Sequence, residues 1–306
     1  MAITAPTNTT QFAGFLTPDQ AAPIFETTAR TSVVQGLVRS VPLGANGVNV
    51  PVVTGRMQAG WVSEGGQKPA SNGALALKNM SPEKIATIAV VSAEVVRANP
   101  GNYMSLIRDQ VAEAFAVAFD SAALYGTGPF GTYIAQTTKE VVFGTNAQAD
   151  GGVHQDIVDG LELLVNDTAD SGRRYRLTGF ALDDIVEPIL LGAVDSTGRP
   201  IYIDTPLDET TAAARPGRLI GRPSRMSEGV ADPNGPTVAF GGDWSQAAWG
   251  SVGGISYDVS TQATVTIDGE LVSLWEHNLV AVRAEAEFGW LVNDAEAFVA
   301  YANGGS

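Results

Sequence analysis

The sequence predicts an α+β fold, and three observations lead to it. The segment "NYMSLIRDQVAEAFAVAFDSAALY", from Asn102, repeats apolar residues at three- and four-residue steps, the period of a helix face. The segment "LVAVRAEAEFGWLV", from Leu279, alternates apolar with polar residues, the period of a strand. Between and around them, helix and strand signals follow no regular strand–helix–strand order, which argues against a parallel sheet with crossover helices.

Taken in chain order, residues 1–47 read as an N-terminal arm and lead-in. The first 30 or so mix Thr, Ala, Pro and Asn without either period, as a frayed tail does, or an arm ordered by contact with something else. "VNVPVVTG" over 48–55 is a strand, with Pro51 marking an edge or a strand start. Residues 56–83 form a long polar, glycine-rich excursion containing "GWVSEGGQKPAS", whose one large aromatic is Trp61. A further strand runs from Lys84 to Val91, and both flanks of the excursion are strands that could pair with each other.

The helix from Tyr103 to Leu124 would be about 33 Å long at roughly 1.5 Å per residue. Asn102 is its expected N-cap, and Gly126 and Gly128 end it. Met104, Ile107, Val111, Phe115, Ala118 and Ala122 share one face, while Arg108, Asp109, Glu113 and Asp120 include positions on the other. "HQDIVDGLELLVND" gives a second helix, with Ile157, Leu161, Leu164 and Val165 at helical spacing. "GFALDDIVEPILLGAVDSTGRPIYID" reads as strand, Asp-capped helix, turn and strand, with Pro188 expected to remove a helical hydrogen bond and bend the helix. Residues 203–236 read as loop, followed by short strands at "TVAFG" and "ATVTID". In the last strand Val280, Val282, Ala284, Ala286 and Phe288 face one way, and Arg283, Glu285 and Glu287 the other.

Composition limits the function classes. The chain has 306 residues, 44% hydrophobic and 17% charged, which suits an ordered globular protein. No apolar run approaches the roughly 20 residues of a membrane-spanning helix, and the N-terminus lacks the pattern of a secretory signal. Neither disulfides nor thiolate chemistry is available, because cysteine is absent. A net charge of -15 argues against general binding to nucleic-acid backbone and makes copies of the chain repel one another.

Enzymatic motifs fail on context. "GTGPFG" matches the dinucleotide fingerprint at Gly126, Gly128 and Gly131, but it follows a helix where the motif needs a strand before it, and Pro129 removes an amide. "SPEK" places Ser81 and Lys84 at S-x-x-K spacing without the companion elements of the acylating enzymes. His154 and His277 are the 2 histidines, and neither has a ligand partner at metal spacing. Carboxylates such as Asp183, Asp184, Asp204 and Asp208 single out no acid–base pair. Arg215, Arg218, Arg222 and Arg225 crowd into "ARPGRLIGRPSR", whose prolines and glycines favour a loop paired with neighbouring acids; contact with a nucleic acid or a partner subunit is the alternative. No catalytic residue, cofactor site or metal site is predicted.

The segments in their order resemble the major capsid proteins of tailed bacteriophages, those with the Hong Kong ninety-seven capsid fold. The resemblance runs from "GWVSEGGQKPAS" through "KIATIAVVSAEVV", "FDSAALYGTGPFGT", "ALDDIVEPILLGAVDSTGRPIY", "RLIGRP" and "VAFGGDWSQAAWG" to "LVAVRAEAEFGWLVNDAEAFVAY". It implies a first peripheral-domain strand at 48–55, an extended two-stranded loop at 56–83 and a peripheral domain at 84–149 with a spine helix at 103–124. It further implies an axial domain at 150–268 and C-terminal peripheral strands at 269–306. The extended loop would lie over an adjacent subunit, with Trp61, Glu64, Lys68 and Lys78 as intersubunit contacts. A lone two-stranded hairpin is marginal in water, and burying Trp61 on a partner would gain on the order of 1.5–3 kcal/mol.

The function so implied is structural: hexamers and pentamers of this chain form an icosahedral shell around double-stranded DNA, held without sequence-specific contact. The shell would assemble in the bacterial host cytoplasm and end in the virion. Scaffolding, portal and decoration proteins would be its partners, scaffolding as a separate protein because no long cleavable segment precedes the arm. Some members of the family crosslink a loop lysine to an asparagine of another subunit; Lys68 and Lys78 lie in the matching loop, and surface lysines are the plainer reading. An encapsulin-type nanocompartment shell is the nearest alternative, and an acidic soluble hydrolase a distant one.

Overall fold

The alternating C-terminal segment becomes a 14-residue strand, β15 (Leu279–Val292), on which a five-stranded sheet is built. The computed structural model describes residues 32–55, 59–64, 66–68, 74–98, 103–147, 150–166, 174–193, 202–204 and 215–304. The arm before residue 32, the Asn102 cap and the turn at 194–200 lie outside the described residues. Strand β4 (Glu83–Ser92) pairs antiparallel along one edge of β15, from Leu279↔Ser92 to Phe288↔Glu83. The other edge takes β12 (Ser256–Ser260) and then β11 (Ala247–Ser251), and β1 (Arg39–Ser40) adds in parallel to β11.

The expected alternation in β15 holds at its centre, where Arg283 is exposed between buried Val282 and Ala284. Near its start both faces are covered. A small hairpin of β13 (Thr264–Ile267) and β14 (Glu270–Ser273) packs Val265 and Ile267 against Val90, Leu279 and Ala281. Helix α2 (Ala93–Ala98) and the long helix α3 (Tyr103–Tyr125) bring Val95, Ile107, Val111 and Phe115 onto Val91, Ala284 and Ala286. α3 ends at Gly126, whose φ of 70° and N–H hydrogen bond to the Ala122 carbonyl close the last turn.

Two residues of α3 depart from the expected faces. Ala118 is exposed, and Asp120, placed with the outward residues, is buried. The reason is a change of neighbour. The last turns reach the far end of β15 and enter the larger core, so the covered face rotates to Phe119, Ala123 and Leu124. Phe119 there meets Phe130, Trp249, Phe288 and Trp290 edge-on, with ring centroids 5.5 to 6.1 Å apart.

That larger core lies against a seven-stranded sheet. Its order is β5 (Glu140–Phe143), β16 (Phe298–Asn303), β10 (Thr237–Gly242), β6 (Gly179–Leu182), β9 (Arg222–Met226), β8 (Arg215–Leu219) and β7 (Tyr202–Asp204). Helix α4 (Gly152–Val165) covers it with Ile157 and Leu164. The segment 150–268 therefore contributes to both sheets, because β11 and β12 pair with β15 while β6 to β10 lie in the seven-stranded sheet.

Two expectations need correcting here. Pro188 does not bend a helix. Asp183 caps a single 3₁₀ turn at Asp184–Val186, and α5 (Glu187–Leu191) starts after it, so Pro188 falls in a first turn whose amides need no helical partner. The arginine run is not a loop either. β8 and β9 form a hairpin with a two-residue turn, Ile220 and Gly221, both at positive φ as a type I′ turn requires. Leu219 and Met226, both buried, seat this hairpin on the core.

Candidate assembly surface

The polar excursion is shorter than the sequence suggests, because its second half is strand. β2 (Val48–Gly55) pairs antiparallel with β3 (Ala74–Met80), from Val48↔Met80 to Gly55↔Ala74, and this ribbon is a two-stranded sheet of its own. β2 thus pairs with β3 and not with β4, which is committed to β15. The "ALAL" alternation at 74–77 was the available signal, hidden by the Gly, Ser and Pro before it.

Directly opposed residues share a face, so the pairing sorts the ribbon into two sides. The inner side is anchored by Met80 and Val50, at 0% and 8% exposure, which pack with Leu43 and Leu291. Room for them comes from a pair of glycines opposed in the sheet, Gly250↔Gly289. A Cβ on Gly250 would stand 2.6 Å from the Val41 carbonyl oxygen, and one on Gly289 would stand 2.9 Å from Met80 Cγ.

On the outer side Val53, Leu75 and Leu77 are 57%, 73% and 69% exposed, with Pro51 also exposed between them. Three exposed apolar side chains on one face of a two-stranded ribbon form a surface that gains by meeting another apolar surface. Sequence reasoning named none of these three.

Of the four residues it did name, Trp61, Glu64 and Lys68 are exposed beyond the paired strands, Trp61 entirely so. Lys78 differs. It sits on the inner side, half-buried, and its ammonium donates to the Asn293 carbonyl of the same chain at 2.5 Å. Its reach is taken up in fastening the ribbon to the body.

The root of the N-terminal arm is fixed to α3. Helix α1 (Val33–Leu37) starts at Ser32, whose hydroxyl accepts from the Gln35 amide and donates to Asp120. The Asp120 carboxylate also accepts from the Val33 amide at 2.8 Å and the Val34 amide at 3.3 Å. Burial pushes this carboxyl up to about 6, against the opposing pull of those three hydrogen bonds.

A groove of about 750 Å³ runs between α3 and the start of β4, lined largely by apolar groups including Ile85, Val117, Phe119, Phe130 and Phe288. Among the described residues no group of three His, Asp or Glu side chains is placed to hold a metal. His277 is exposed, and His154 is half-buried on α4. Ser81 and Lys84 form no nucleophile pair: the Ser81 hydroxyl donates to Asn79, while Lys84 pairs across the sheet with Glu285 at 3.4 Å.

Known proteins bear on this surface. The profile of the phage capsid family matches residues 13–303. The probable major capsid protein gp17 of Mycobacterium phage D29 is 47% identical over 98% of this chain and 93% of its own length. The protein of the same description from Mycobacterium phage L5 is 45% identical over 98% and 92%. A solved structure of Gordonia phage Cozz superposes with a TM-score of 0.70 at 22% identity, covering 97% of this chain and 94% of the other.

Proposed function

The chain belongs to the phage capsid family, and on that premise we propose that it builds its shell by laying the outer face of the β2–β3 ribbon on a neighbouring copy. It is a major capsid protein, a structural subunit of a phage shell. The observation that carries the contact is the exposed apolar row Val53, Leu75 and Leu77 on a ribbon whose other face is firmly seated. With a charge of -15 repelling each copy from the next, association needs such apolar area.

Trp61, Glu64 and Lys68 extend the same contact beyond the strands, and Lys78 supports it from within its own subunit. In this reading the β4–β15 sheet with α3 is the peripheral domain and α3 its spine. The seven-stranded sheet is the axial domain, whose loops meet around the symmetry axes of hexamers and pentamers. The closed icosahedral shell encloses double-stranded DNA, assembles in the host cytoplasm and works with separate scaffolding, portal and decoration proteins. Electron microscopy of the purified full chain tests it: closed shells of regular size are expected, and a chain that sediments only as a 31.8 kDa monomer overturns it.

A further inference from the structure

A cleft of about 580 Å³ opens between α1 and the β8–β9 hairpin, away from the ribbon. Among the described residues Arg39, Arg218 and Arg225 line it, and no carboxylate does. One further donor stands beside it without a hydrogen-bond partner: Trp244 Nε1, on a lining residue only 3% exposed; Ser224 turns its side chain to the opposite face of β9, with Met226. A buried donor left unpaired is costly and calls for an explanation. Asp243, the acid next to Trp244 in sequence, is engaged by the Ser245 amide and hydroxyl at 3.2 and 2.6 Å.

The local backbone makes room for one of the arginines. A Cβ on Gly36 would stand 2.5 Å from Arg225 Nε, so the guanidinium crosses α1 where only glycine leaves space. The cleft therefore offers three guanidinium groups and one neutral indole N–H, with no acid among its described lining residues. That set is complementary to an oxyanion, and arginine binds carboxylate with two parallel hydrogen bonds.

We propose that this cleft receives acidic side chains from a neighbouring copy of the chain in the assembled shell. The inference rests on the shell reading above. Charge complementarity selects the occupant: the chain has 33 Asp and Glu against 18 Lys and Arg, so every copy presents surplus carboxylates to its neighbours. Copies that repel overall associate in register where local opposite charges meet. DNA phosphate has the matching chemistry, but the same surplus of carboxylates repels the duplex.

The test is arginine footprinting with phenylglyoxal, read by mass spectrometry on dispersed subunits, DNA-free shells and DNA-filled particles. Arg218 and Arg225 are expected to react about tenfold more slowly in both kinds of shell than in dispersed subunits. Carboxyl labelling of the same samples should show an Asp- or Glu-bearing peptide protected in parallel. Protection confined to DNA-filled particles would assign the cleft to phosphate and overturn the proposal. Equal reactivity in all three samples, or no carboxylate protected, would overturn it too.

Gly36→Ala supplies an independent reading, since alanine suits a helix and the atom it displaces is the end of a flexible side chain. It should leave the circular dichroism of the subunit unchanged and raise the concentration at which shells form by about tenfold. Unchanged assembly would count against the site. An unaltered chain that forms no particle at all would overturn this proposal together with the shell reading.

Discussion

The hydroxyl of Ser32 donates a 2.5 Å hydrogen bond to Asp120, a residue 88 positions further along the chain. The contact ties the head of α1 to the long helix that packs on the five-stranded sheet. It also places a carboxyl where water cannot reach it, which makes the junction sensitive to pH.

The sign of that sensitivity follows from the direction of the shift. The Asp120 carboxyl is raised from its ordinary 3.8 to about 6, so between those values the folded chain binds more protons than the unfolded one. The stability this group contributes is full below about pH 4 and is lost as pH rises through 6. Between pH 7.5 and pH 4.5 the unaltered subunit should gain about 2 kcal/mol from this source. Asp120→Asn should remove that gain while keeping an acceptor for Ser32. Urea midpoints of both dispersed subunits at pH 4.5, 6 and 7.5 measure the difference, and parallel pH profiles would refute the assignment.

The outer face of the ribbon should matter to assembly and hardly at all to the subunit. Leu75 and Leu77 are largely exposed, so Leu75→Ser with Leu77→Ser should leave the thermal midpoint within a degree or two. Burying a leucine on a neighbour gains about 1.5–3 kcal/mol, and losing two should raise the assembly concentration at least a hundredfold. Light scattering across a concentration series reads this directly. Shells forming at the wild-type concentration would remove the ribbon from the interface.

The sequence made the periodic elements legible and the non-local ones obscure. The spine helix and β15 were readable because each carries its own period over more than ten residues. The partner of β2 was not readable, since nothing in "VNVPVVTG" distinguishes β3 from β4 as its neighbour; the choice is made by β15, nearly 200 residues later, which claims β4. Asp120 looked like an outward residue because its burial depends on α1, a helix of 5 residues with no period to detect. The arginine hairpin was hidden by its prolines and glycines, although Gly221 at positive φ is what turns it. Lys78 was singled out for its charge and its place in the excursion, but the parity of the strand register turns it inward.

The glycine pair beneath the ribbon leaves room for Leu43 and Met80. Gly250→Ala would place a methyl 2.6 Å from the Val41 carbonyl oxygen and 2.9 Å from Leu43 Cβ, where backbone has to shift. The expected cost is about 1–3 kcal/mol. Because Leu43 and Met80 share this site, limited proteolysis should also cut the ribbon faster in the variant. Unchanged proteolysis with unchanged stability would show that the ribbon is seated by other contacts.

Tyr301 offers a test of packing in the larger core. Its ring stacks on Phe143 at 5.1 Å, and its hydroxyl is buried with no hydrogen-bond partner. Burial pushes this phenol well above its usual range, so it stays neutral and the unpaired hydroxyl is the whole liability. An unpaired buried polar group costs stability that an apolar group of the same shape does not, so Tyr301→Phe should stabilise the subunit by about 1 kcal/mol. A Cβ on Gly160 would stand 2.2 Å from that same hydroxyl, so Gly160→Ala should destabilise by about 1–3 kcal/mol. The two changes meet at one atom. Gly160→Ala should therefore cost at least about 0.5 kcal/mol less in the Tyr301→Phe background, and a double-mutant cycle in urea measures that coupling. Strict additivity would mean that the hydroxyl swings clear of the added methyl.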